Sequence, residues 1–106
     1  MAKRSITPVL ERFVQAVRAQ GINVDRVILY GSRASGKPRP ESDIDLAIVS
    51  RDFGMDQIEE RMRLWRIAGA IDSRIEPIAL STRSFEEDTW IPIVHEIREH
   101  GIVLKV

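Results

Sequence analysis

Val9, Leu10, Phe13, Val14 and Val17 recur at helical spacing between Thr7-Pro8 and Gly21, which is the stripe an amphipathic helix buries along one side. Thr7 is placed to cap this helix and Pro8 to take its first position, where a missing N–H costs nothing. The pattern then changes. Asp25-Arg26-Val27-Ile28-Leu29-Tyr30 is a short, nearly continuous run of β-formers stopped by Gly31. It is too short for a surface helix and predicts a buried strand. Pro38 and Pro40 bar a central strand between Ser32 and Glu41, so that stretch reads as turn and loop, with room for one helical turn at its start. From Ser42 to Ser50 the period is two: Ile44, Leu46 and Ile48 point one way, and Asp43, Asp45, Ala47 and Val49 the other.

Asp56 and Glu59 have the spacing of a capping box and open a second helix over Asp56–Ile71, with Ile58, Met62, Trp65 and Gly69 at helical intervals. Arg74-Ile75-Glu76-Pro77-Ile78-Ala79-Leu80 predicts a third strand, and Pro77 assigns it to a sheet edge or to a local loss of pairing. Ser81–Asp88 is polar and acidic, a connection that can hold one helical turn. Trp90, Ile91, Ile93, Val94 and Ile97 mark a further helix ending at Gly101, and Ile102–Val106 a closing strand. Strands interleaved with helices give an α/β fold.

Composition narrows the possibilities. The 106 residues, 43% of them hydrophobic, suit a single domain spanning 1–106 with a modest core. Sixteen basic residues balance sixteen acidic ones, so there is no sign of the broad positive field that grips duplex nucleic acid. The absence of cysteine removes disulfides, thiolate nucleophiles and zinc–sulfur centres. The basic N-terminus leads into no apolar signal segment, and no run approaches the roughly 18 apolar residues of a membrane span. A soluble cytoplasmic protein is expected.

The chemistry concentrates between residues 30 and 45. A glycine beside a small hydroxyl residue, Gly31-Ser32, lets backbone N–H groups approach phosphate oxygens, and Asp43 and Asp45 follow on one face of a strand. Same-face side chains on a strand stand roughly 6.5–7 Å apart, a separation from which two carboxylates can chelate one ion or span a pair. Glu76, set among Ile75, Pro77 and Ile78, is the acidic residue best placed inside a neighbouring strand, where an unpaired charge is costly unless a cation meets it. Taken singly, Asp-x-Asp is most often a solvated strand end and Gly-Ser a plain turn. The ordered combination points to a phosphoryl-transfer site. Arg33 and Lys37 are candidate phosphate contacts, although loop cations are usually solvated. His95 and Glu99 share a helical face but lack a third ligand. Trp65 and Trp90 read as core or interface anchors, and Asp72, at a helix end, as a solvated connection and a fallback base.

With these residues in view, Gly31-Ser32-Arg33-Ala34-x-Gly36 and Ser42-Asp43-x-Asp45-Leu46 resemble the signature of the polymerase-β-like nucleotidyltransferase superfamily, especially its minimal nucleotidyltransferase branch. The resemblance covers nearly the whole chain and implies that superfamily's fold, a small mixed sheet with helices packed on it. It implies that Gly31 and Ser32 hold the β- and γ-phosphates of a nucleoside triphosphate, with Arg33 and Ser42 in the same nucleotide-binding set. It also implies that Asp43 and Asp45 bind Mg²⁺ and that Glu76 occupies the third-carboxylate position, where many members carry aspartate. The activity implied is transfer of a nucleoside monophosphate, AMP from ATP, to a hydroxyl. Minimal members of this kind pair with a small helical partner of the HEPN type in toxin–antitoxin modules. A different class of function stays open beside the enzyme: a non-catalytic antitoxin or adaptor that binds such a partner, with or without nucleotide.

Overall fold

The computed structural model describes residues 6–31, 34 and 43–105. Their order is α1 (Thr7–Ala19), β1 (Arg26–Tyr30), β2 (Ile44–Ser50), α2 (Gln57–Ile71), β3 (Ile75–Ser81), α3 (Thr82–Glu87), α4 (Pro92–His100) and β4 (Ile102–Leu104). The strands form one mixed sheet in the order β3-β2-β1-β4. β1 runs antiparallel to both β2 and β4, and β2 runs parallel to β3 through the α2 crossover. Pro77 therefore lies on an edge strand, as its missing N–H requires.

The period-two alternation of β2 divides the core into two layers. Ile44, Leu46 and Ile48, with Val27 and Leu29 of β1, pack against Leu10, Phe13, Val14 and Val17 of α1 and Leu64 and Ala68 of α2. Ala47 and Val49, with Ile28 and Tyr30, face Phe85 of α3 and Ile97 of α4 on the other side. Each large side chain fully buried here contributes roughly 1.5–3 kcal/mol. Phe85 is held between two guanidinium groups, Arg26 at 5.4 Å and Arg98 at 5.0 Å from its ring centre, and Arg98 also donates to the Phe85 carbonyl at 2.8 Å. These contacts clamp the short α3 onto that face of the sheet.

Three local expectations are corrected. Ile6, not Thr7, is the N-cap of α1, and no side-chain cap bond forms there, so Pro8 falls inside the first turn. At α2, Asp56 accepts the Glu59 N–H at 3.1 Å as a capping box requires. The returning carboxylate, however, comes from Glu60, which accepts from Gly54 at 3.0 Å, Met55 at 3.2 Å and Asp56 at 3.3 Å. Most consequentially, Ile58, Met62 and Trp65 lie on the exposed side of α2. The helix carries two apolar stripes, and the sheet takes the one built on Leu64 and Ala68.

Asp72 is not a solvated connection. Its carboxylate accepts the Arg74 backbone N–H at 2.9 Å and both Nε–H and Nη2–H of the guanidinium at 3.1 and 2.8 Å, pinning the tight link from α2 into β3. That pairing holds its pKa near 2 against the usual 3.8. Because the folded value lies below the unfolded one, the stabilisation is complete above about pH 4 and is lost as pH falls through 2. Asp72→Ala should cost roughly 1–2 kcal/mol at pH 7 and far less at pH 2. Thermal melts at the two pH values check this, and equal loss at both would assign the effect to packing.

Candidate active site

Register brings the carboxylates together. Tyr30 is opposite Asp45 across the β1–β2 pair, and Asp45 is beside Glu76 across the β2–β3 pair. Paired residues on adjacent strands share a face, so Tyr30, Asp45 and Glu76 form a row on the α3/α4 side of the sheet. Asp43, just ahead of β2 and exposed, joins them through a hydrogen bond to the Glu76 carboxyl.

The electrostatics are those of crowded acids. Burial, then the Asp43 charge, raise the Asp45 pKa. The hydrogen bond to Asp43, burial and the charges of Asp43 and Asp45 raise that of Glu76, so Glu76 holds a proton more readily than an isolated glutamate. Tyr30 is pushed up to about 12, first by burial and then by Asp45 and Glu76, with the Arg61 charge partly opposing them. It is therefore a neutral phenol, a wall beside the acids that can only donate or accept a hydrogen bond.

Gly31 ends β1 at φ +75°, a left-handed conformation that favours glycine. A Cβ at that position would collide with the Asp45 carboxylate. The backbone therefore passes directly against the acid row. The Ala34 N–H then donates to the Gly31 carbonyl at 3.1 Å. Ser32, Arg33 and Ser42, the other expected nucleotide contacts, and Lys37 lie outside the described residues.

Carboxylate oxygens are the donors Mg²⁺ prefers, and the crowding of Asp43, Asp45 and Glu76, which raises the pKa values of Asp45 and Glu76, suits a cation. Among the described residues, no three acidic or histidine side chains are arranged to cage an ion by themselves. That is compatible with Mg²⁺, which is usually held by one or two carboxylates plus substrate phosphates and water. The donor set therefore fits. His95 and Glu99 are exposed on α4, away from the acid row in the sequence and in no metal-binding group among the described residues. Trp90, at 77% exposed, is not a core anchor. Tyr30 and the field of Arg61 were missed from sequence, where Tyr30 served only as the end of a strand. Pairing β1 antiparallel with the Asp-x-Asp strand would have placed it in the row.

Among the described residues, no helix is long and apolar enough to cross a membrane. A search of known structures finds a crystal structure described as "a putative nucleotidyltransferase" from Sulfolobus solfataricus. It is 21% identical, with a TM-score of 0.56, and the match covers 97% of this chain and 89% of that one; at this identity the likeness is one of fold. The chain is also 28% identical over 79 residues to a Methanocaldococcus jannaschii protein named "putative protein adenylyltransferase", covering 74% of this chain and 77% of the relative. The model of the nucleotidyltransferase domain family matches residues 10–104, nearly the whole chain, including Gly31 and the three acids. The chain belongs to the nucleotidyltransferase domain family and is a nucleotidyltransferase.

Proposed function

We infer that the chain, acting as one catalytic domain, transfers AMP from ATP to a hydroxyl on an acceptor with Mg²⁺ as cofactor, and that Asp43, Asp45 and Glu76 are its catalytic carboxylates. The observation that carries this reading is the alignment of Asp45 with Glu76 on neighbouring parallel strands, directly beside the Gly31 turn that leaves no space for a side chain. The name of the archaeal relative supports AMP as the transferred group and a protein as the acceptor.

Asp43, Asp45 and Glu76 would hold the metal, and bound Mg²⁺ would neutralise triphosphate oxygens and the charge on the attacking and leaving oxygens. Gly31 and Ser32 offer backbone N–H groups to the β- and γ-phosphates, and Arg33 and Ser42 complete the nucleotide contacts. This fixes the α-phosphorus in line with the acceptor oxygen. Glu76, deprotonated, accepts the acceptor's hydroxyl proton as the new O–P bond forms and pyrophosphate departs. Its raised pKa makes it a stronger base than a solvated glutamate. Tyr30, staying neutral, adds no further negative charge to the three acids.

The acceptor belongs to a partner chain. A small helical protein of the HEPN type, in a cytoplasmic toxin–antitoxin pair, fits the resemblance of the motifs.

The test is calorimetric titration with ATP, with and without Mg²⁺. Crowded acids repel a bare triphosphate, so ATP should bind at least tenfold more tightly with Mg²⁺ present, on the scale of a Coulombic term of about 1.4 kcal/mol or more. Equal affinity in chelator would overturn the metal-dependent reading.

A further inference from the structure

The second apolar stripe of α2 is left exposed and unused by the site. Met55, ahead of the helix, is 92% exposed, and Ile58, Met62 and Trp65 are 76%, 54% and 44% exposed. At 3.6 residues per turn they follow one line along the helix, and Gly69 continues it with nothing within 4 Å of where its Cβ would be. Large apolar side chains lined up in water mark an interaction surface.

We propose that this stripe is the contact between two copies of the chain, with the α2 helices packed antiparallel about a two-fold axis passing between Met62 and Arg63. The argument is charge complementarity. Glu59 and Arg66 lie on the same flank of the stripe, equidistant from its midpoint. In an antiparallel pair, like flanks meet, so Glu59 of each copy stands beside Arg66 of the other, twice per dimer. Within one chain these two side chains are only loosely paired, at 3.8 Å and more than half exposed, and are available to a partner. The apolar residues interleave under the same operation. Trp65 of the second copy falls level with the gap between Ile58 and Met62, and Met55 of the second copy comes beside Gly69, where no side chain stands in the way. A foreign helix would account for the apolar stripe but not for the symmetric placement of Glu59 and Arg66 about its centre.

The proposal is independent of the catalytic reading, because α2 packs on the face of the sheet opposite the acid row.

Sedimentation velocity over a wide concentration range tests it. The chain should have the mass of two copies at micromolar concentration. Met62→Lys, at the symmetry axis, should weaken association about a hundredfold or more, with unchanged circular dichroism because Met62 is exposed. Glu59→Arg and Arg66→Glu should each weaken it about tenfold, since like charges then meet twice. Mixing those two single variants in equal amounts should restore a dimer, because a chain with arginine at both positions faces one with glutamate at both. The combined Glu59→Arg/Arg66→Glu chain should also recover. A chain that stays monomeric at every concentration, including one whose stripe binds only an unrelated helix, overturns the proposal. So does a dimer indifferent to Met62→Lys, or a mixture of the single variants that does not recover.

Discussion

Replacing Asp43 and Asp45 together by asparagine is expected to lower nucleotidyl transfer by about 10³-fold or more. With Asp43 and Asp45 holding Mg²⁺ as proposed, their removal forfeits several kcal/mol of charge stabilisation at about 1.36 kcal/mol per decade. The fold should survive and become slightly more stable at neutral pH. Burial and the Asp43 charge raise the Asp45 pKa, so the folded protein opposes ionisation. The cost appears as pH rises through the unfolded value of 3.8 and is complete above the raised folded value. Asparagine removes that cost, so the gain in melting temperature should be present at pH 7 and vanish near pH 3. Transfer assays on labelled ATP, with melts at both pH values, check the pair of effects. A variant that unfolds would show the acids to be structural instead.

Glu76→Gln should lower transfer about 10²-fold or more, the scale on which general-base catalysis is lost. Glutamine keeps the length and a hydrogen-bond donor toward Asp43, so the row Tyr30–Asp45–Glu76 set by strand register should hold its shape. ATP binding in Mg²⁺ should fall much less than turnover if proton acceptance is the main role. An equal fall in both would make Glu76 chiefly a ligand. Transfer at the parent rate would remove it from the site, and Asp72 could not take its place, being committed to Arg74.

Strand chemistry was legible in the sequence because period two leaves no freedom: once Ile44, Leu46 and Ile48 are buried, Asp45 must face the other way. Glu76 could be placed in a strand by its apolar neighbours, but its alignment with Asp45 is set by the β2–β3 register, which a helical crossover alone leaves open. The helix was harder. Periodicity reports that a stripe exists but not which stripe is covered, and on α2 the sequence favoured Met62 and Trp65 by size. The sheet instead took Leu64 and Ala68, the latter small enough to allow close approach. The capping carboxylate shifted from Glu59 to Glu60 for a related reason. The chain turns at Gly54, φ +110°, which presents three consecutive N–H groups to a side chain one residue further along.

Pro77 has a consequence for how the protein behaves in a crowd. A sheet of this size has two open borders, and a bare border invites other polypeptides to add on and build fibrils. On the β3 border, the proline has no N–H to offer an incoming strand, and it stands one residue from Glu76, whose charge, when present, discourages stacking of identical copies. The β4 border is only three residues long, too brief a template for sustained growth. Protection against fibrils is thus built into the same edge strand that carries Glu76, and changing Pro77 to a β-branched residue would remove the main safeguard on that side.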